Sequence, residues 1–315
     1  MVRRLPQLRP DRYRVIRPDA ALAHRAGHLW EQAVLPVHAG GCALVYSPAN
    51  LGPVLSRRNV LVIHDAAALR HPEAYSRLYV AYQRRMLPAL ARRARLLITV
   101  SEFSKRELVE VLGVAAERIT VIPEGVDERF AAGAEPAAVS ALYGLRSPYV
   151  LALGTISERK NLGVLEPARR ALHERGIELV VAGSDRAYLR ASPVPLRRLG
   201  YVAEEHLAGL YAGARALVMP SLYEGFGLPC LEAMACGTPV VAAASGALPE
   251  TVGAAGLLVD AQDGDAFASA LVDVACDEQT AQRLAEAGGR RAAAFTWSRT
   301  AALTDAAIGE LLARD

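Results

Sequence analysis

Residues 216–246 read ALVMPSLYEGFGLPCLEAMACGTPVVAAASG. Two apolar runs of strand length, 216–219 and 240–243, flank a glycine-bordered loop and a helical stretch that opens near Pro229. Proline suits the first turn of a helix, where its missing N–H leaves nothing unpaired. The strand runs are apolar at every position rather than at alternate ones, which implies burial on both faces and a parallel sheet covered by helices. Outward from this stretch the same unit recurs. Strand patterns fall at 44–47, 60–63, 96–100, 119–122, 149–153, 177–182 and 257–259, and helical patterns at 75–94, 103–112, 162–174 and 204–212. A repeating βα order of this kind marks open α/β domains.

The chain has 315 residues, enough for about two domains. Its 52% hydrophobic content excludes intrinsic disorder. The small, flexible composition of 131–148 suggests the boundary, with SPYVLALG as the first strand of a new unit; after Asp263 and Gly264 only helical patterns follow. The long uncharged stretch 233–249 is broken by Gly237, Pro239, Gly246 and Pro249, so it reads as no membrane helix. The basic start lacks the apolar core of a secretory signal. Cys42, Cys230, Cys236 and Cys276 show no CxxC spacing and read as buried thiols of a reducing cytoplasm. A net charge of +3 makes no demand for nucleic acid. Arginines concentrate in residues 1–30 and again in 77–95, where no acid accompanies them. That run reads either as a solvated helix face or as a basic surface able to meet an anionic membrane or acceptor.

Three segments carry candidate chemistry. In EGFGLPCLE (224–232), Gly225 and Gly227 let the backbone approach a ligand, and the amides of the helix start form an anion site. Glu224 in the loop and Glu232 one turn inside the helix can accept sugar hydroxyls, although Glu232 also suits a helix dipole. The GFGLPC run is similar to a dinucleotide fingerprint, but the following strand ends without the acid that holds a ribose, which disfavours a dehydrogenase. In GTISERKN (154–161), Arg159 and Lys160 follow a strand's carboxyl end, where open sheets bind ligands. The pair can neutralise a diphosphate or simply cap the next helix. Lys160 is one of only two lysines, with Lys105, in an arginine-biased chain. His64 and Asp65 end the strand VLVI, an active-site position or a packing one. Elsewhere His24 and His28 lack a third ligand for zinc, and Asp263-Gly-Asp265 sits in a late turn.

Together VIHDAAALRHPE, ITVSEFSKREL, VIPEGVD, LGTISERKN, LGYV and the run from Met219 to Asp260 resemble the retaining nucleotide-sugar glycosyltransferases of the GT-B fold, family 4. The GTISERKN form is similar to that of bacterial mannosyltransferases of polysaccharide and lipid-glycan synthesis. The resemblance implies two Rossmann-like domains with parallel sheets facing a central cleft. Residues 1–140 would form a shortened acceptor-side domain, 141–296 the nucleotide-sugar domain, and 297–315 a helix crossing back to the first. By the same resemblance Gly154 would contribute to the donor site, and Arg159 and Lys160 would hold the diphosphate. Val202 would line the base pocket, and Glu232 would take the ribose hydroxyls. Glu224 and the amides of Gly225, Phe226, Gly227 and Leu228 would meet the donor sugar and phosphate, and His64 would act on that sugar. The implied catalytic residues are His64, Glu224 and Lys160, with no metal and no cofactor besides a GDP- or UDP-linked donor. The acceptor would be a glycan or a lipid-linked glycan, handled in the cytoplasm or at the inner membrane face.

The resemblance also implies an opening strand, Gly-rich loop and helix before the position where residue 1 falls. In that reading 2–18 approach and form a second strand, and loss of the central strand leaves unpaired edges within the sheet. The alternative function is a catalytically inactive, shortened relative serving as a nucleotide-binding or scaffold subunit.

Overall fold

The computed structural model describes residues 4–18, 27–130, 135–184, 186, 188–189 and 196–314. Contacts divide the chain into two units. Met1–Arg70, Arg77–Gly125 and Trp297–Asp315 form the first, and His71–Ser76 with Val126–Thr296 the second.

The first unit holds a four-stranded sheet of β1 (Val45–Ser47), β2 (Asn59–Val62), β3 (Leu96–Thr99) and β4 (Ile119–Val121), all parallel and in sequential order. Its helices include α1 (Arg4–Leu8), α2 (Leu35–His38), α3 (Arg77–Arg93) and α4 (Glu102–Leu112). Leu61 and Leu97 from the sheet pack with Leu87 and Leu90 of α3 and Leu108 of α4. Val60, Val62, Ile98 and Ile122 pack instead with Ile308 of the C-terminal helix, Trp297–Leu312. The two faces bury different residues of the same strands, as the unbroken apolar runs require. Helix α4 starts where Ser101 Oγ accepts from Ser104 N at 2.9 Å and stops at Gly113, whose φ of 63° is left-handed.

The amino-terminal segment differs from its expected strand. Residues 4–8 are helical and 9–18 form no regular element. Side chains hold it: Tyr13 donates to Asp305 Oδ1 at 2.7 Å and Arg14 to His38 O. The described sheet has no gap, because its strands run in chain order from β1 to β4.

The second unit holds six parallel strands: β5 (Tyr149–Leu153), β6 (Glu178–Ala182), β7 (Arg197–Gly200), β8 (Ala216–Met219), β9 (Val240–Ala243) and β10 (Leu257–Val259). Their order is β10-β9-β8-β5-β6-β7. The connections reverse direction between β5 and β8, which opens a crevice at the carboxyl ends of those two strands. Around the sheet lie α5 (Pro136–Leu142), α6 (Glu166–His173), α7 (Glu204–Ala212), α8 (Leu228–Ala235), α9 (Leu248–Val252), α10 (Gly264–Cys276) and α11 (Glu278–Ala293).

Of the stretch 131–148, residues 131–134 lie outside the described residues and 136–142 form α5. The Asp263 side chain accepts from Ala266 N at 2.8 Å and caps α10, a structural role for that late Asp-Gly-Asp. The cysteines need a correction. Cys230 is buried, but Cys42 and Cys236 are half-buried and Cys276 is exposed at the end of α10. No helix among the described residues is long and apolar enough to cross a membrane.

Candidate functional site

Strand β5 ends at Leu153, and Gly154 follows with φ 140°, a conformation that favours glycine. A Cβ there would lie 2.8 Å from Lys160 Cε and 2.9 Å from its Nζ. Gly154 therefore gives the Lys160 stem its path back over the strand end. Residues Glu158–Lys160 form a 3₁₀ turn that stops at Asn161, itself left-handed at φ 53°. Asparagine tolerates that conformation better than most residues. The Asn161 amide donates to Pro220 O at 3.1 Å and Ala261 O at 2.7 Å, tying the β5 loop to those after β8 and β10.

From the other side of the crevice comes the loop after β8. Lys160 Nζ lies 2.7 Å from Glu224 Oε1, and an Arg159 guanidinium nitrogen lies 3.2 Å from the same oxygen. Arg159 also donates to Tyr223 O. Burial pushes the Glu224 carboxyl up, but Lys160 and Arg159 outweigh it and hold the group at about 2. Two cations against one carboxylate leave the cluster a net positive charge. Gly246, at φ 59°, backs onto this loop, and a Cβ there would stand 2.7 Å from Glu224 N. Ala247 N donates to Glu224 O at 2.9 Å and completes the clamp.

Gly227 is left-handed at φ 95° and precedes the first turn of α8. Glu232, farther along α8, accepts from the buried Tyr211 hydroxyl at 2.9 Å. Burial first, then the Glu232 charge, pushes the Tyr211 phenol far up, so it stays a neutral donor. The Cys230 thiol connects the two halves of the site. Burial pushes it up; Glu224 and Glu232 add to that and Lys160 opposes it, so one sulfur lies within electrostatic reach of all three. Lys160, Glu224 and Glu232 thus all act on that one buried thiol.

In the first unit, His64 follows β2 and Glu124 follows β4. His64 Nε2 lies 3.4 Å from Glu124 Oε1, and Nδ1 lies 3.0 Å from Asn50 Oδ1. That same Asn50 oxygen accepts the His64 backbone N–H at 2.7 Å, which identifies it as the oxygen and makes Nδ1 a donor. Burial pulls the imidazole down, but the hydrogen bond and charge of Glu124, with Asp65, hold it above its ordinary value. When protonated, the ring can donate from both nitrogens.

The structure brings together Gly154, Arg159, Lys160 and Glu224, with Gly225 and Gly227 in the loop that leads on to Glu232 of α8. Phe226 is buried and its ring meets Phe295 edge-on at 5.9 Å; Leu228 begins α8. Val202 is buried after β7, two strands from β5. His64 belongs to the other unit. His24 lies outside the described residues, and among those described no group of three acids, histidines or cysteines could hold a metal. Sequence reasoning missed Tyr211, Glu124, Asn50 and Gly246. It also missed His71, which belongs to the second unit and sets its ring 5.3 Å from that of Tyr223. The SG dipeptide after β9 was the available signal for Gly246; the others act through partners distant in sequence.

A lysine and an arginine close on one loop carboxylate at the topological switch point of a parallel α/β sheet. Residues 2–130 match the family described as Glycosyltransferase Family 4, and residues 147–277 the one described as Glycosyl transferases group 1. The chain is 34% identical over 276 residues to the O-antigen chain mannosyltransferase B of Escherichia coli, covering 81% of this chain and 71% of that protein. It is 37% identical over 236 residues to the D-inositol 3-phosphate glycosyltransferase of Kribbella flavida, covering 68% of this chain but only 55% of that one. Among solved structures, sucrose-phosphate synthase from Thermosynechococcus elongatus superposes with a TM-score of 0.72 at 23% identity, covering 97% of this chain and 83% of that one. The chain belongs to glycosyltransferase family 4, and its two α/β units are those of the GT-B class.

Proposed function

We propose that this chain is a retaining hexosyltransferase, moving a mannose-like hexose from a GDP- or UDP-linked donor to a glycan or lipid-linked acceptor. The Lys160–Glu224–Arg159 cluster at the β5–β8 crevice is the observation that carries this reading. The similarity to a mannosyltransferase supports the choice of sugar.

The chemistry follows from charge. As the glycosidic bond breaks, negative charge grows on the departing diphosphate and positive charge on the sugar ring. Lys160 and Arg159 stabilise the former, a contribution worth about 3–4 kcal/mol per donor in comparable sites. Glu232, steadied by Tyr211, accepts ribose hydroxyls, and Glu224 presents carboxylate oxygen to the sugar. His64 serves as a hydrogen-bond donor to a sugar hydroxyl. The leaving phosphate oxygen takes the acceptor's proton on the same face of the ring, which retains the anomeric configuration. Two cations of the chain itself take the charge, so the reading invokes no metal.

The basic outer side of α3 fits the same reading. Arg77, Arg84, Arg85, Arg92 and Arg93 are exposed together with Leu78, a surface suited to anionic lipid at the inner membrane face, where lipid-linked acceptors lie.

The test is a donor panel of GDP- and UDP-hexoses followed by mass spectrometry, with and without glycan acceptors. Transfer or donor hydrolysis by the native chain, lost in Lys160→Ala, is expected. Unchanged transfer in that variant refutes the phosphate clamp, and nucleotide binding without any turnover favours the scaffold alternative.

A further inference from the structure

The carboxyl end of α9 is held by a side chain from another helix. Arg291, in the last turn of α11, donates from Nε to Thr251 O at 2.9 Å and from a second guanidinium nitrogen to Glu250 O at 2.6 Å. The last carbonyls of a helix have no partner within it, so a forked cation from outside satisfies two at once. The same guanidinium lies 4.8 Å from the centre of the Phe295 ring, within cation–π range.

Helix α9 in turn backs the loop 224–228. The Thr251 side chain is buried, and its hydroxyl donates to Phe226 O. Leu248 packs on Gly227, where a Cβ would come within 2.7 Å of Leu248 Cδ2. Phe226 also meets the Phe295 ring edge-on. Arg291 thus grips the end of α9 and the Phe295 ring, and both lead to Phe226. Glycines flank Phe226 on either side, so the backbone there keeps one shape only where its neighbours impose it.

We propose that Arg291 is a positioning residue for the loop 224–228, acting through Thr251 and Phe295. That the loop serves sugar transfer rests on the transferase reading above; its dependence on Arg291 does not.

Amide exchange of the full chain, followed by NMR with no donor present, reads the loop directly. Ala247 N donates to Glu224 O and Cys230 N to Gly227 O, both at 2.9 Å, so their protection reports whether the loop stays in place. Leu217 N and Ala244 N, bonded to Pro239 O and Val259 O, report the sheet. Arg291→Met should speed exchange at Ala247 and Cys230 by about tenfold or more relative to the sheet pair, the worth of a bond to a charged group. Arg291→Lys keeps a cation and should speed it less. Thr251→Val should open the same two amides, and combined with Arg291→Met it should give less than the product of the single effects, because the two cut one path. Arg290→Met, exposed in the same turn, should change none of them.

With the donor that the panel identifies, Arg291→Met should lower kcat about tenfold or more and hold KM within about threefold, since misplaced amides cost most where charge develops. An equal rise at the loop and sheet amides makes Arg291 a general stabiliser and overturns the proposal. Unchanged exchange at Ala247 and Cys230 overturns it too, as does an opened loop with native kcat. Should Arg291→Met not fold, Arg291→Lys and Thr251→Val decide by the same comparison. A native chain that turns over no donor refutes the transferase reading, and the two loop amides still decide the role of Arg291.

Discussion

Replacing Lys160 by methionine keeps most of the stem's length, removes its charge and leaves Glu224 in the crevice with Arg159 alone. In the native chain burial pushes the Glu224 carboxyl up, and the two cations overcome that and hold it at about 2, against 4.5 for an ordinary group. The difference amounts to roughly 3 kcal/mol of net preference for the ionised form. Lys160 approaches Oε1 to 2.7 Å and Arg159 to 3.2 Å, so Lys160 carries the larger share. Breaking a buried pair typically costs about 3–5 kcal/mol. Protonation of the stranded carboxyl limits that loss, and about 2–4 kcal/mol is expected for Lys160→Met at pH 7. Glu224→Gln also destabilises, by leaving two cations side by side. The double variant should recover about 2 kcal/mol relative to the sum of the single ones. Urea denaturation followed by circular dichroism measures all four chains of this cycle. Because the Glu224 carboxyl titrates lower in the folded chain, its contribution is complete above pH 4.5 and is lost as pH falls through about 2. Lys160→Met should therefore lose less stability than the native chain as pH falls from 4.5 to about 2. Additivity of the two single substitutions within about 0.5 kcal/mol, or an unchanged acid limb, would refute the reasoning.

Two further outcomes follow from the hydrogen bonds. Tyr211→Phe removes the hydroxyl that steadies Glu232 and should raise the donor KM about tenfold while leaving kcat within about twofold, since a bond to a charged group is worth roughly 1.5–3 kcal/mol; steady-state kinetics with the donor that the panel identifies will show whether KM alone moves. His64 titrates above 6.5 when folded, so its stabilisation is complete below pH 6.5 and is lost as pH rises through the folded value. Proton NMR of the imidazole should give a midpoint above 6.5 that Glu124→Gln lowers, and a native midpoint below 6.5 would contradict the pairing.

The strands were legible where they are buried on both faces. The runs YVLAL, ALVM and VVAA became β5, β8 and β9 because every side chain in such a strand meets a helix or another layer. Strand β7 escaped notice for the converse reason. It is an edge strand reading RRLG, and Arg197 turns outward to Glu178 and to the carbonyls of Tyr143 and Gly144. The amino-terminal stretch looked like a strand by position in a resemblance, yet Leu5 and Tyr13 anchor it as a helix and an irregular segment. The candidate residues Lys160, Glu224 and Glu232 stood out by type and spacing. Gly154 stood out too, although what its missing side chain makes room for is the Lys160 stem. Tyr211 and Asn161 act through contacts that span long stretches of chain, and no local pattern announces them.

The pairing within the crevice bears on how it can serve a charged ligand. A lone buried cation would be costly to keep. Glu224 holds Lys160 in place before any ligand arrives, and Arg159 is held by the same carboxylate and by the Tyr223 carbonyl. A diphosphate entering here would exchange partners with cations already oriented, rather than order two flexible side chains on arrival. Under the proposed donor reading Glu224 would change its surroundings on binding: as phosphate drew Lys160 and Arg159 away, the carboxylate would gain freedom to accept a hydroxyl. A donor-bound state in which the Glu224 carboxyl titrates higher than about 2 is the consequence, and the direction of that change separates partner exchange from simple addition of a ligand to an undisturbed ion pair.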